Sequence, residues 1–315
     1  MRTLACQNLD TTERLWSSSG AIFPLLAKAI LKDKGVVFGA AFDDNFQVVH
    51  IGVTEEKDLG RLTGSKYVYS QTKTAFQQCR EYLEEGRKVL FTGTPCQIAG
   101  VKAFLRKDYP NLYLADCVCH GAPDSKIWTQ YLTELSAGRM PSYVNFRDKK
   151  DGWVNYHLTV RFSNGDEYSM HHQDDPYMQA FRGNLTLRQA CFHCRFKGTE
   201  GRESDLTMGD LWGASEIVPE LFDDKGTSLI MLHTDKGEAL FSEIRKEVAA
   251  KEIDAGPAIE KNPAVITASR PNLNLQRFNQ YYKKTGNLTE SIRRYVKPGK
   301  MTKILHKLSL ALGER

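Results

Sequence analysis

Residues 88–105 read KVLFTGTPCQIAGVKAFL, and the architecture of the chain follows from them. The apolar run KVLFTG predicts a buried strand that enters a loop, TPCQ, and the residues from Ile98 to Leu105 predict a helix. Farther along the chain, LYLADCVC predicts another strand and IWTQYLTEL another helix. This alternation, which extends from Val36 to Leu135, indicates an α/β layer with a largely parallel sheet.

The segments on either side of this layer differ in pattern. Upstream, WSSSGAIFPLLAKAILKDKG predicts a helix that Ser17 to Ser19 cap. The runs GVVFGAAFD and FQVVHIGV follow, and the turn residues between them favour adjacent strands. Beyond Tyr143 the chain shows alternating strands with turn signals such as Asn164-Gly165, which is typical of a hairpin. We therefore expect an α+β C-terminal half with hairpins.

Three regions are expected from these patterns. They are an α/β region over residues 1–140, an α+β region that supplies a C-x-x-C pair over residues 141–292, and a basic tail over residues 293–315. From residue 293 to residue 313 the tail contains six Lys and Arg and no acid. Its apolar residues fall on one helical face, which suits peripheral contact with an anionic membrane or docking on the body or a partner. These residues are Met301, Ile304, Leu305, Leu308 and Leu312.

Composition limits the class of protein. The 315 residues are 41% hydrophobic and 26% charged, which is ordinary for a globular protein. Lys and Arg outnumber Asp and Glu by 43 to 38, and a net charge of +5 is too small to indicate nucleic-acid binding. The first residues, MRTLACQNLDTTERLW, lack the pattern of a secretory leader, so we expect a cytoplasmic protein. In that reducing compartment, seven cysteines indicate metal or redox chemistry rather than disulfides.

Four of the cysteines occupy positions from which they could reach one centre. Cys191 and Cys194 form a C-x-x-C pair, and Cys96 and Cys119 each follow a predicted buried strand. Strand ends of an α/β sheet face the crevice in which ligands bind, so the two single cysteines are expected to meet there. Four thiolates suffice for a 4Fe-4S cluster or a structural zinc, and unliganded thiols are a third interpretation. Cys117 could also replace Cys119 as a ligand.

Small and polar residues near these cysteines are candidates for holding a cofactor. A phosphate could bind at the SSSG helix start, and GSKY suits a phosphate or a flavin edge. Plain capping and a solvated loop are the alternatives for these two segments. His120, next to Cys119, is a candidate proton donor or hydrogen-bond partner. The cofactor candidates are Ser18, Ser19, Gly20, Ser65, Lys66, Tyr67, Thr92, Gly93, Thr94 and Gln97.

The order of these motifs carries a resemblance. The series SSSGAIF, RLTGSKYVYS, GRKVLFTGTPCQIAGVKAFL, DCVCHGAPDSKIW and ACFHCRFKGTEGRESDLTMGDLWG resembles the coenzyme F-420 hydrogenase/dehydrogenase beta-subunit family. Members are flavin and iron–sulfur oxidoreductases, and the resemblance extends from about Ser17 to about Trp212. It implies FAD, at least one 4Fe-4S cluster and an α/β body with an unusual flavin site.

The resemblance also implies roles for individual residues. Cys96, Cys119, Cys191 and Cys194 occupy the cysteine motifs of the family and are the expected cluster ligands. The SSSG, GSKY and TGTPCQ segments are expected to line the flavin. Lys66 would favour a reduced, anionic flavin through its charge. Together with His120 it is the expected catalytic residue.

These parts predict an oxidoreductase that links a hydride-type donor or acceptor to a one-electron carrier, because a flavin exchanges electrons in pairs or singly. Many relatives begin with a ferredoxin-like domain, which this sequence does not contain. The expected partner is therefore a separate ferredoxin, another electron carrier or a deazaflavin. The alternatives are a zinc-stabilised binding or scaffold protein and an electron-relay subunit of a larger complex. The oligomeric state stays open.

Overall fold

The computed structural model describes residues 1–299, and the strands within them form two separate sheets. The apolar runs that begin at Val36 and Val89 are buried strands, as predicted. The strands are β1 (Arg2–Asn8), β2 (Val36–Phe42), β3 (Val48–Val53), β4 (Val89–Gly93), β5 (Leu112–Cys117), β6 (Pro141–Asp148), β7 (His157–Phe162), β8 (Glu167–His171), β9 (Leu206–Asp210), β10 (Ser228–Leu232) and β11 (Val248–Glu252).

The larger sheet has eight strands in the order β11-β1-β10-β9-β5-β4-β2-β3. Its centre is parallel, because β2 pairs with β4, β4 with β5, and β5 with β9 in the same direction. Antiparallel strands extend it on both sides. The predicted α/β class with a largely parallel sheet is confirmed, as a mixed sheet with a parallel centre.

Helices cover both faces of this sheet. Val37 and Leu90 project to one face, where they pack against Leu26 and Ile30. Phe38 and Phe91 project to the other face, as the alternation of side chains along a strand requires. The helices are α1 (Thr11–Trp16), α2 (Ile22–Lys32), α3 (Ala75–Glu84), α4 (Pro95–Leu105), α5 (Ser125–Ser136), α6 (Pro176–Arg182), α7 (Gln189–Phe192), α8 (Ala214–Ile217), α9 (Asp235–Glu243), α10 (Ala255–Lys261), α11 (Leu275–Thr285) and α12 (Leu288–Tyr295).

The smaller sheet, β6-β7-β8, is built from the predicted hairpins. Its inner face packs on α5 and α6 through an aromatic core, in which the Trp128 ring lies 4.8 Å from Phe146 and 5.2 Å from Tyr177 between centroids. The buried Asp175 carboxylate accepts a hydrogen bond from Tyr131 at 2.6 Å and caps α6. Aromatic burial of this kind anchors the second half of the chain.

The boundary predicted near residue 140 falls between α5 and β6. The large sheet nevertheless takes β9, β10 and β11 from the later part of the chain and places them beside β1 and β5. The division into regions 1–140 and 141–292 therefore stays a prediction. The predicted tail helix over residues 301–312 lies outside the described residues. Among residues 1–299, no helix is long and apolar enough to cross a bilayer.

Two features of the N-terminal segment differ from the sequence analysis. Ser17 to Ser19 do not cap α2, whose preceding residue is Ala21 in the left-handed conformation without a side-chain cap. The serines instead bond to distant parts of the chain: Ser19 Oγ donates to Thr227 O at 3.0 Å, and Ser18 Oγ accepts from Ser65 N at 2.6 Å. The sequence analysis also missed β1, a short strand that begins and ends with polar residues.

A buried histidine ties the outer strand β3 to β4 in the parallel centre of the sheet and allows a test of stability. His50 Nε2 lies 2.9 Å from Thr92 O, and Nδ1 lies 2.7 Å from Ser70 Oγ. A carbonyl oxygen only accepts, so Nε2 carries the proton and Nδ1 accepts from the hydroxyl. Burial lowers the pKa of His50 to about 4, from 6.5.

We expect the free energy of unfolding to fall as the pH is lowered from about 6.5 to about 4. In this window the unfolded chain binds a proton at His50 that the folded chain does not bind, and the full effect of His50 is about 3 kcal/mol. Urea unfolding at a series of pH values measures it, and the His50→Gln variant should show a smaller slope. Equal slopes in the two proteins would contradict the assignment.

Candidate functional site

A cavity of about 730 Å³ opens at the carboxyl ends of β4 and β5. This is the edge at which ligands bind in open α/β sheets. Its volume is in the range of small-molecule sites. Cys119 and His120 also line it. The predicted cofactor residues on its wall are Ser18, Ser19, Ser65, Lys66, Tyr67, Thr92, Gly93, Thr94 and Gln97.

Gly20 is the one predicted cofactor residue that does not line this cavity. Its N–H donates to Ser228 Oγ at 2.9 Å, and a Cβ at this position would lie 2.4 Å from Cys6 O. Only glycine permits this close approach of the chain to β10. The buried Lys149 ammonium donates to Ser19 O at 2.9 Å. Gly20 and Lys149 thus fix the serine segment at the cavity wall without facing the cavity.

Thr94 and Gln97 position Cys96 at the start of α4. Thr94 is the N-cap residue, and its N–H donates to Gln97 Oε1 at 3.0 Å in a capping box. Thr94 Oγ1 lies 3.1 Å from Cys96 Sγ. Gln97 Nε2 donates to Ser70 O at 2.9 Å. These contacts hold the Cys96 thiol in the first turn of the helix.

Lys66 has a different environment from the one expected. Its Nζ donates to Arg61 O and Thr63 O, each at 3.0 Å. Burial lowers the pKa of Lys66 to about 7. The ammonium therefore carries only part of a charge near neutral pH and is already bound by two carbonyl groups. Its catalytic role stays a prediction.

His120 is held at the cavity wall by one hydrogen bond and one ring contact. Nε2 lies 2.6 Å from Asn184 Oδ1, and the ring meets Phe181 edge-on at 5.2 Å between centroids. Burial lowers its pKa below the usual value, with an opposing effect of the bond to Asn184. Since an amide oxygen only accepts, Nε2 carries the proton. The role of His120 as a proton donor stays a prediction.

Two loops bring the cysteines of both chain halves to this end of the sheet. Arg188 N donates to Ala122 O at 3.1 Å, and Pro123 bridges to Leu187. The Ala122 N–H points at Cys191 Sγ at 3.5 Å. Residues 118–123 and 187–191 therefore run side by side and carry Cys119 and Cys191 together.

Three other thiols influence the ionisation of Cys119. Burial raises the pKa of Cys119 well above its usual value, and the charges of Cys117, Cys96 and Cys191 raise it further. The Cys117 residue is exposed, and it lines the cavity. Its thiol group lies among packed neighbours, and this burial raises its pKa to about 12. Cys117 therefore stays the predicted alternative to Cys119 as a ligand. A set of thiols is the donor set that iron–sulfur clusters use, so the residues fit such a group.

The predicted set of four ligands is not completely gathered. Cys194 lies in the turn after α7, with its side chain partly buried. In the described part of the chain, no three His, Cys, Asp or Glu side chains are already grouped at metal-binding geometry. The assignment of Cys96, Cys119, Cys191 and Cys194 to one centre therefore stays a prediction.

The loop that follows the C-x-x-C pair is tied to β5 by a buried ion pair. Arg202 donates to the Asp116 carboxylate at 2.8 Å, and both side chains are at most 5% exposed. Arg202 also donates to Gly198 O at 2.7 Å and to Val265 O at 3.1 Å. Lys197 Nζ donates to Cys119 O. These charge-assisted bonds join the two cysteine-bearing segments.

A second buried ion pair forms the wall on the side of the smaller sheet, and sequence reasoning missed it. Arg147 donates to Asp210 at 2.9 Å and to the Tyr67 hydroxyl at 3.1 Å. Its guanidinium carbon lies 4.0 Å from the centre of the Tyr156 ring. Trp153 Nε1 donates to Asp210 at 3.1 Å. Asp210 belongs to the LTMGDLWG segment, whereas Arg147 belongs to no motif that would have revealed it.

Residues 86–256 match a family model, the one that describes the C terminus of the beta subunit of the coenzyme F420 hydrogenase/dehydrogenase. The chain belongs to this family. The resemblance found in the sequence is thereby confirmed, and the family is one of oxidoreductase subunits. The matched range contains Cys96, Cys119 and the C-x-x-C pair.

The fold agrees with a solved member of such an assembly. A chain in the xenon-derivatised structure of the F420-reducing [NiFe] hydrogenase complex from Methanosarcina barkeri is similar, with a TM-score of 0.56 and 15% sequence identity. The match covers 90% of this chain and 91% of that chain. At this identity the likeness concerns the fold. No curated protein matches the sequence.

We expect Arg202→Gln to lower the free energy of unfolding by about 3–5 kcal/mol, because it leaves the Asp116 carboxylate buried without its cation. The matched control is Lys102→Gln, which breaks the exposed Lys102–Glu203 pair, 2.7 Å long, and should cost below about 1 kcal/mol. Urea unfolding of the full chain measures both. Losses of equal size would show that the Asp116–Arg202 pair is not a structural tie.

Proposed function

We propose that this protein is a flavin-dependent iron–sulfur oxidoreductase that passes electrons between a hydride-type donor or acceptor and a one-electron carrier. The observation that carries the proposal is the meeting of two kinds of residue at one cavity. Cys117 and Cys119 line the cavity together with residues of the SSSG, GSKY and TGTPCQ segments, and the Cys191 sulfur lies 3.5 Å from the backbone nitrogen of Ala122 on its wall. Family membership supports the class of reaction.

FAD is the cofactor that the cavity would hold. The loop around Ser65 and Lys66 also borders a neighbouring groove of about 610 Å³, lined by Trp16, Tyr143 and Arg61. Two adjoining spaces suit an extended dinucleotide with a flat ring at one end and an aromatic base at the other. When bound, the flavin supplies the exchange of electron pairs with single electrons. The chain supplies position, through the backbone and hydroxyl groups of the serine and threonine segments.

A 4Fe-4S cluster is the centre that the thiols would hold. Cys96, Cys119, Cys191 and Cys194 are the proposed ligands, with Cys117 as the alternative to Cys119. One hydrogen-bond donor already points at these sulfurs, the Ala122 N–H at Cys191, and the Thr94 hydroxyl oxygen lies 3.1 Å from the Cys96 sulfur. Donors to sulfur tune the reduction potential of such a centre without adding charge.

The partner follows from the same chemistry. A one-electron centre needs a carrier such as a ferredoxin, and the flavin needs a hydride carrier, for which a deazaflavin is a candidate. The similar chain stands in a multisubunit hydrogenase complex, which supports a partner subunit here too. All seven cysteines are free, in keeping with a reducing, cytoplasmic location.

We expect the full chain, purified without oxygen, to contain iron, acid-labile sulfide and FAD. The Cys96→Ser and Cys191→Ser variants should lose most of the iron and sulfide, since each removes a proposed ligand. Cys79→Ser is the matched control, because Cys79 is buried in α3, away from the cavity, and should keep the iron. Elemental analysis and absorbance spectra measure the outcome.

Other outcomes would replace the proposal. A colourless protein with one bound zinc would indicate a scaffold or binding protein instead. A brown flavoprotein that reduces no carrier when given an artificial electron donor would indicate a relay subunit. Iron content that is equal in the Cys96, Cys191 and Cys79 variants would exclude these cysteines as ligands.

A further inference from the structure

One hydrogen-bond donor of the Arg147 guanidinium group, Nε, has no acceptor among the described residues. The side chain is 1% exposed and its terminal nitrogens bond to Asp210 and to the Tyr67 hydroxyl. A buried N–H left without a partner costs about 1–3 kcal/mol, and such groups are rare in native proteins. Arg147 lines the cavity, and at a cavity wall a missing acceptor points to a group that enters the cavity.

The cavity is the place from which that acceptor would come. Arg147 lines it together with the residues that hold the guanidinium, namely Tyr67, Tyr156, Asp210 and Trp212. Solvent does not reach the Nε atom, so a ligand contacts it only if a side chain of the cavity wall moves. Tyr67 and Trp212 are the half-buried aromatic side chains of this wall, whereas Tyr156 is buried under the guanidinium, with its ring centre 4.0 Å from the guanidinium carbon.

The chemistry of the wall limits the class of ligand. Aromatic rings beside a guanidinium accept a flat ring, and the free N–H needs a carbonyl oxygen at the edge of that ring. The pyrimidine edge of an isoalloxazine has two such oxygens, and it gains negative charge on reduction. A charged donor at that edge is bound more tightly by the reduced than by the oxidised flavin.

We propose that Arg147 donates its Nε–H to the pyrimidine edge of the flavin. Its positive charge then stabilises the reduced flavin. The inference rests on the proposed function. It differs from the sequence expectation, which gave this role to Lys66. Lys66 Nζ already donates to two carbonyl groups, whereas the Arg147 guanidinium has a donor to spare. Arg147 is paired with Asp210 and stays charged.

The chain contains a matched control for this residue. Arg14 is also a buried arginine, 5% exposed at its side chain, and it pairs with Asp223. Its Nε likewise has no partner among the described residues. Arg14 does not line the cavity at the strand ends. A substitution of Arg14 therefore reproduces the loss of a buried arginine without touching the proposed flavin contact.

The first experiment compares Arg147→Lys with Arg14→Lys in the full chain after removal of the flavin. Lysine keeps the charge and removes the Nε–H. FAD is titrated by quenching of its fluorescence, and the reduction potential of the bound flavin is measured. We expect Arg147→Lys to bind FAD about tenfold more weakly and to shift the potential to more negative values. Arg14→Lys should bind FAD as the wild type does.

The second experiment leaves the protein unchanged, so it is independent of how the variants fold. FAD in which one pyrimidine carbonyl oxygen is replaced by sulfur, as 2-thio-FAD or 4-thio-FAD, is titrated into the wild-type chain. We expect one of the two analogues to bind about tenfold more weakly than FAD, and to lose this difference in Arg147→Lys.

The outcomes separate this inference from the proposed function. Equal binding of FAD by the Arg147 and Arg14 variants, or equal binding of both thio analogues and FAD by the wild type, overturns the Arg147 contact alone. A wild-type chain that binds no FAD overturns the contact and the proposed flavin enzyme together.

Discussion

The site depends on the parallel pairing of β4 with β5. Phe91 pairs with Leu114 and Gly93 with Asp116, so the two strands end at the same edge. The Cys96 loop and the Cys117–Cys119 loop therefore emerge side by side, whatever the rest of the chain does. Backbone bonds between residues 118–123 and 187–191 then add the thiol of Cys191. This register places Cys96 and Cys117, which are more than twenty positions apart in the sequence, at the same edge of the sheet.

The parts of this arrangement that could be predicted are those written in local patterns. Apolar runs predicted β2, β4 and β5. The TPCQ motif after β4 and the CHG motif after β5 indicated the edge of the sheet at which the cavity opens. The SSSG segment lines the cavity, whereas the capping role that its serines suggested is wrong. Its serines do not cap a helix, because Ser18 and Ser19 bond to Ser65 and Thr227, which lie far away in sequence. Local propensity cannot show a partner of this kind.

Other features depend on contacts between distant residues and leave no local signal. Arg147 meets Asp210 because the smaller sheet brings β6 to the end of β9, and Arg202 meets Asp116 across a loop. Both pairs are buried, so removal of one partner leaves a buried charge without its counter-ion. Beside the cavity, the chain thus adds a few charged ties to the apolar packing that joins its two halves. Such ties fix geometry where a ligand must enter.

The position of β1 sets the order in which the molecule can be completed. This N-terminal strand lies between β10 and β11, and Arg2 faces Leu232. During synthesis it waits, with its backbone groups solvated, until β10 and β11 have left the ribosome. Such a topology has a high contact order, which slows folding. The serine segment, which follows β1 and α1, bonds to Thr227 just before β10, so a ligand that needs this wall can be retained only after β10 has been made.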